Sequence, residues 1–260
     1  MKTVILAGGL GTRISEESHL KPKPMIEIGG KPILWHIMKL LSAQGLNEFI
    51  ICAGYKQYMI KEYFANYFLH NSDITFDFSN SQSEITIHDS VIEPWKVTII
   101  DTGLNTMTGG RVKRIARYLD EDESFLLTYG DGVADINISE LINCHKQSGA
   151  LATISAHNAS QRFGVLDVSE DGMVNDFREK TAGDGALINI GFMVLEPAFL
   201  SYIEGDATVL EKDTLRRLAS ENKLNAYKHR GYWQCMDNMR EKQQLEQLWT
   251  AGNAPWKIWE

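Results

Sequence analysis

The chain has 260 residues, 43% of them hydrophobic and 23% charged, the balance of a soluble globular protein long enough to bury a full core. Its net charge of −8, from 26 basic and 34 acidic side chains, provides no global basic field and excludes nucleic acid as an expected partner. No apolar run is long enough to span a bilayer, and the start "MKTVILAGG" lacks a cleavage region, so no membrane association and a cytoplasmic location are expected. The three cysteines, Cys52, Cys144 and Cys235, have neither metal-ligand spacing nor the density of a disulfide framework.

"KTVILAG" is a short β-rich run suited to a strand buried on both faces. "KPILWHIMKLLSAQG" follows with helical spacing, Pro32 near its start and Gly45 as a stop. "EFIICAG" then predicts a second strand and "KQYMIKEYFANYFL" a second helix. This order implies an α/β fold with a doubly wound, mostly parallel or mixed sheet of the Rossmann-like type, whose ligands lie at the carboxyl ends of the strands. Residues about 73–101 alternate as a β-rich excursion, with "EPWKVTII" its clearest strand. The aromatic stretch Tyr67–Trp95 reads either as an interface or as local core.

"SFLLTYGDG" is another buried strand, followed by a helix near Ile138–Gln147. Further strands are expected at "ALATISAH", "FGVLDV", "GMVNDF" and "INIGFMVL", and helices near Glu211–Glu221 and Asn238–Trp249. Without repeats or linkers, one domain over residues 1–260 is the simplest account, closing in a helical segment at about 238–260.

The first strand opens into Gly8, Gly9 and Gly11, then Thr12 and Arg13. Glycines here allow positive φ and let main-chain N–H groups approach a charged ligand, while Thr12 adds a hydroxyl and Arg13 a fork of donors. A tight strand–helix turn would also use glycines. The spacing fits neither G-x-G-x-x-G nor a Walker loop, since no G-K-[ST] follows. In "KPKPM", Pro22 and Pro24 favour an extended segment, on which Lys21 and Lys23 lean to the same side and both reach the loop. Spacing alone does not choose between the two lysines.

"LAGGLGTR" with "KPKPM" resembles the signature of the sugar-1-phosphate nucleotidyltransferases, and the resemblance runs over essentially the whole chain. Its closest likeness within that family is to the glucose-1-phosphate cytidylyltransferases, through "GGKPILWHIMKL", "YKQYMIKEYFANYFLH", "IEPWKVTIIDTG", "MTGGRVKR", "TYGDGVAD" and "APWKIWE". The resemblance implies CMP transfer from CTP to glucose 1-phosphate, with release of pyrophosphate, in a homo-oligomer that is a trimer or hexamer. It also implies that Leu6, Ala7, Gly8, Gly9, Gly11, Thr12, Arg13, Lys23, Thr106, Arg111 and Gly130 hold the nucleotide, Arg13 and Lys23 with catalytic roles.

Two carboxylates with phosphate oxygens and water make a normal Mg²⁺ site. Asp131 follows a buried strand and Asp237 precedes the last helix, although a turn at Asp131 and a helix cap at Asp237 explain the same residues structurally. The resemblance assigns both to the metal, and it assigns Glu179 to the acceptor's hydroxyls, Lys180 to its phosphate and Asn189 to the sugar pocket. A sugar phosphate, with a second pKa of about 6, attacks the α-phosphorus without a general base. Departures from the cytidylyltransferase pattern fall on or near the acceptor side: Thr181 and Cys235 for proline, Ile190 for glycine, and "TVLEKDTL" without tryptophan and proline. They keep another sugar phosphate, a non-sugar phosphate ester or a phosphoramidate open as the acceptor. Use of UTP or dTTP is a further alternative.

Overall fold

The computed structural model describes the chain except residues 80–83, 91, 159–164, 170, 171 and 179–186, and describes the backbone alone of 165–167 and 175–178. Its main sheet has nine strands among the described residues. They are β1 (Thr3–Ala7), β2 (Glu48–Ala53), β3 (Lys96–Asp101), β4 (Phe125–Tyr129), β5 (Ala152–Asn158), β6 (Val165–Val168), β7 (Val174–Arg178), β8 (Leu187–Leu195) and β9 (Leu224–His229). The sheet is mixed. Strands β3, β2, β1 and β4 lie side by side in that order and all parallel. Beyond β4 the pairing turns antiparallel through β8, which also holds β5 and β6, while β5 runs parallel to β9.

Strand order 3-2-1-4 places a reversal between β1 and β4, because the chain leaves β1 first to one side and later to the other. The loops after these two strands diverge there and open a crevice at their carboxyl ends. That position, fixed by topology, is where Gly8 and Asp131 emerge.

The period of two in the strands sorts their side chains into two cores. Ile5, Ala7, Phe49, Ile51, Ala53, Leu126, Phe192 and Val194 face one layer, built on helices α1 (Ile33–Ser42), α2 (Gln57–Ala65) and the chain's end. Val4, Leu6, Ile50, Cys52, Phe125, Leu127, Met193 and Leu195 face the other, covered by helix α3 (Thr108–Arg114) and the segment Leu210–Ser220. Helix α4 (Ile138–Ser148) adds Ile138 and Leu141 to the first layer, and Asn137 caps it through Glu140 N at 3.1 Å. Helix α1 stops as expected: Gly45 takes φ +87° and Leu46 N–H returns to Leu41 O at 3.1 Å.

Two expectations need correction, and one structural alternative is removed. The β excursion is narrower than residues 73–101, because Lys96–Asp101 joins the main sheet beside β2 and the hairpin is Ser72–Asp77 with Glu84–Ser90. The segment near Glu211–Glu221 starts as a π-helical turn, Leu210–Leu215, before the short α5 (Arg216–Ser220). Asp237 does not cap the last helix, α6 (Met239–Thr250); Asn238 does, accepting from Glu241 N at 3.0 Å.

Under helix α1, His36 lies fully buried among Trp35, Trp249, Trp256 and Trp259. Its Nε2 donates to Ile28 O at 2.8 Å and its Nδ1 accepts from Trp256 Nε1 at 3.4 Å, so a neutral ring satisfies both neighbours. Burial lowers the His36 pKa from 6.5 to about 4. Because the unfolded chain takes this proton more readily, the stability contributed by the neutral ring is complete above pH 6.5 and is lost as pH falls towards 4. The loss amounts to about 3 kcal/mol. Urea unfolding at pH 7.5 and 5 should show about 2 kcal/mol of it, and His36→Gln should flatten that dependence by about one proton per molecule. An unchanged slope in the variant would assign the acid sensitivity elsewhere.

Candidate active site

The loop after β1 uses its glycines for different reasons. Only Gly11 needs the left-handed region, at φ +66°, and a Cβ there would press on Ser18 and Lys23. Gly8 has no room for a side chain, because a Cβ would meet the Arg111 guanidinium at 2.1 Å. Gly9 faces open space, and Thr12 and Arg13 start a short 3₁₀ turn on the exposed side. Gly8 O accepts from Tyr55 N at 3.2 Å, and Leu6 O accepts from Gly130 N at 2.9 Å, so the first two residues of the expected nucleotide wall, Leu6 and Ala7, end a strand locked on both sides.

The "KPKPM" segment does not stay extended. Pro22 is extended (ψ 146°), but Lys23–Met25 turns as a 3₁₀ helix, with Met25 N bonded to Pro22 O at 2.8 Å. The turn sends the two lysines apart. Lys21 pairs with Glu27 at 2.8 Å near the surface, whereas Lys23 is 8% exposed and enters the crevice.

There Lys23 Nζ lies 2.5 Å from Asp131 Oδ2 and 2.5 Å from Asp237 Oδ1, and Arg13 Nη1 donates to Asp237 Oδ2. A two-stranded ribbon brings the two aspartates together from distant parts of the chain. Gly132–Ala134 pairs antiparallel with Trp233–Cys235, and Met236 N donates to Asp131 O at 2.9 Å. With Asn238 serving as the cap and the Glu241 carboxylate accepting Asp237 N–H at 2.6 Å, the Asp237 side chain is released for the crevice. Burial disfavours the Lys23 charge, yet the paired carboxylates outweigh it and hold its pKa above the ordinary lysine value.

Both carboxylates already converge on one cation, so their placement fits a small divalent ion. Among the described residues no cluster of three or more His, Cys, Asp or Glu side chains is placed to hold a metal ion, so any ion here would take its remaining ligands from phosphates and water.

Arg111 is 4% exposed and occupied. Its Nη1 donates to Thr102 Oγ1 and Gly103 O, both at 2.7 Å, and its Nη2 to Leu104 O at 3.2 Å. It braces the loop after β3 against the glycine loop, while Thr106 is buried beside Gly103 in the same wall. Gly54, which the sequence reading passed over, is essential to this packing: a Cβ would meet Gly8 O at 2.7 Å and Gly103 O at 2.8 Å. Its signal was available, a glycine ending the second strand as Gly8 ends the first.

Glu179, Lys180 and Thr181 lie outside the described residues. Asn189 lies on β8, its Oδ1 accepting from Gly191 N at 3.0 Å and its side chain bonding Tyr129. Tyr129, two residues before Asp131, donates to Glu211, whose other oxygen accepts from Thr108 Oγ1 at 2.9 Å. Neither Tyr129 nor Glu211 was singled out from the sequence, and no spacing signal joins them, since the link depends on how Leu210–Leu215 packs on β4. Ile190 and Cys235 are both buried; burial pushes the Cys235 thiol well up and leaves it neutral.

Main-chain amides, fixed cations and a paired carboxylate seat at one sheet crevice are what nucleotidyl transfer requires, and the chain belongs to the nucleotidyl transferase family, matching it over residues 2–239. It is 56% identical over 260 residues to the glucose-1-phosphate cytidylyltransferase of Salmonella typhi, covering 100% of both chains. Identity to a probable glucose-1-phosphate cytidylyltransferase of Bacillus subtilis (strain 168) is 44% over 260 residues, again covering both fully. Among solved structures, HddC from Yersinia pseudotuberculosis superposes with a TM-score of 0.74 at 25% identity, covering 95% of this chain and 99% of that one. No described helix is long and apolar enough to cross a membrane.

Proposed function

We propose that the protein transfers CMP from CTP to glucose 1-phosphate, giving CDP-glucose and pyrophosphate. The observation that carries this reading is the convergence of Lys23, Asp131 and Asp237 at the β1/β4 crevice, supported by full-length identity to proteins of that name. In this reading the amides of Gly8–Thr12 receive the triphosphate, and Arg13 and Lys23 neutralise its oxygens. Thr106, Arg111 and Gly130 belong to the nucleotide wall, Arg111 as the brace that sets its shape. Glu179, Lys180 and Asn189 serve the acceptor.

The protein's task is to bring two polyanions together in line and to stabilise charge on the bridging and leaving oxygens, since the acceptor's own phosphate is the nucleophile. Magnesium on Asp131 and Asp237, when bound, supplies Lewis-acid neutralisation of the phosphates. The same reading places the enzyme in a homo-oligomer by family resemblance, and the reaction in the cytoplasm from the character of the sequence.

The test is pyrophosphate release with Mg²⁺, each of the four nucleoside triphosphates, and a panel of phosphorylated acceptors. CTP with glucose 1-phosphate is expected to exceed every other combination by about tenfold or more, the scale of a single well-made contact. One observation favours a second acceptor within the same panel. Ile190, standing where the relatives' pattern expects glycine, is buried next to Asn189, and "TVLEKDTL" lacks that pattern's tryptophan and proline. Turnover of a different phosphate ester or of a phosphoramidate with CTP, and none with glucose 1-phosphate, would replace the acceptor and keep the chemistry.

A further inference from the structure

We infer that Lys23 is an internal counter-cation competing with the metal for Asp131 and Asp237, so that metal and nucleotide each depend on the other to bind. The inference rests on the proposed reading of the two aspartates as the metal's ligands. Its basis is the charge geometry. Lys23 bridges Asp131 Oδ2 and Asp237 Oδ1 at 2.5 Å each, and Arg13 takes Asp237 Oδ2, so three of the four carboxylate oxygens already serve cations of the chain.

Two carboxylates and two cations make a neutral cluster. Lys23 and Asp237 are each 8% exposed, so water screens this pair poorly, while Arg13 reaches it from the exposed side. A divalent ion arriving alone must displace Lys23 from both carboxylates, and it leaves the cluster with a surplus of two positive charges. A triphosphate arriving with it offers anionic oxygens to the displaced Lys23 and to Arg13, and removes the surplus. Lys23 is thereby a positioning residue for the carboxylates and a competitor of the metal, in addition to its contact with phosphate.

The consequence is a pair of opposite signs. Removing the Lys23 charge should tighten the binding of metal alone and weaken the binding of nucleotide alone. A lysine that touched only phosphate would leave metal affinity unchanged, and one that only stabilised the fold would weaken both.

The experiment measures Mn²⁺ binding by electron paramagnetic resonance on the full chain without nucleotide, and CTP binding by calorimetry in the presence of chelator. For Lys23→Gln, Mn²⁺ alone should bind about 10-fold tighter, within the usual span of coupled sites, and CTP alone correspondingly weaker. Arg13→Gln is the second variant, because Arg13's side chain is 72% exposed and its loss threatens the fold little; Mn²⁺ alone should tighten several-fold, in the lower part of that span. Folding of each variant is verified by its melting curve.

If Lys23→Gln does not tighten Mn²⁺, the competition is overturned, whatever Arg13→Gln does. Asp131→Asn with Asp237→Asn separates the two readings. Mn²⁺ binding that survives this pair overturns the proposed metal seat itself, whereas binding lost here but unchanged in Lys23→Gln overturns the competition alone.

Discussion

Asp237→Asn is expected to lower kcat/KM for cytidylyl transfer by about a thousandfold, roughly 4 kcal/mol of transition-state stabilisation. The substitution preserves shape and removes charge. Asn238 still caps α6, and the Glu241 contact to the residue-237 N–H remains because it uses main chain. Lys23 keeps Asp131 as a partner. The melting temperature should therefore fall modestly while turnover collapses, and the loss should appear in kcat rather than in the acceptor's KM. Steady-state kinetics beside a thermal melt decide it: a folded Asp237→Asn protein within tenfold of the parent rate removes Asp237 from the reaction.

Gly54→Ala carries the second-largest expected effect, and it acts by displacing loops rather than by removing a group that meets substrate. The new methyl would lie 2.7 Å from Gly8 O and 2.8 Å from Gly103 O, and 2.6 Å from Arg111 Nη1. Two of these atoms are main chain, so relief requires the glycine loop and the loop after β3 to part. Overpacking of this kind costs about 2–4 kcal/mol of stability. On the proposed reading the displaced loops form the nucleotide wall, so the KM for CTP should rise by about tenfold or more, as misplacement of binding groups does elsewhere. Gly9→Ala is the matched control, since nothing lies within 4 Å of its would-be Cβ. Parent-like urea midpoint and CTP KM in Gly54→Ala would show that the loops yield freely.

The features legible in the sequence were those written in local pattern. Buried strands ending in glycine, helix stops such as Gly45, and the paired motifs "LAGGLGTR" and "KPKPM" were of this kind, whereas the choice of Lys23 over Lys21 and of Asp131 with Asp237 came from the family resemblance and not from spacing. What escaped depended on pairing between distant segments. Lys96–Asp101 reads as part of a local β excursion until its register against Glu48–Ala53 is known. The cap at Asn238 and the carboxylate at Asp237 are one residue apart, and only the ribbon Gly132–Ala134/Trp233–Cys235 decides which faces the crevice. Prolines suggested an extended "KPKPM", whereas Pro24 instead sits early in a 3₁₀ turn, a position where its missing N–H does no harm. The Tyr129–Glu211 link joins a strand to a π-helical turn and has no one-dimensional signature.

The same ribbon sets the order in which competence is acquired. Thr3–Ala7, Lys23 and Asp131 are all present once the chain has passed its midpoint, but Asp237 reaches them only after Trp233–Cys235 has zipped onto Gly132–Ala134. The closing stretch then fastens the late half to the early one through Trp256, fully buried against helix α1. Contacts of such long sequence separation form late in folding. On the proposed reading, a chain still emerging from synthesis lacks Asp237 and so holds half of the metal seat until the ribbon closes.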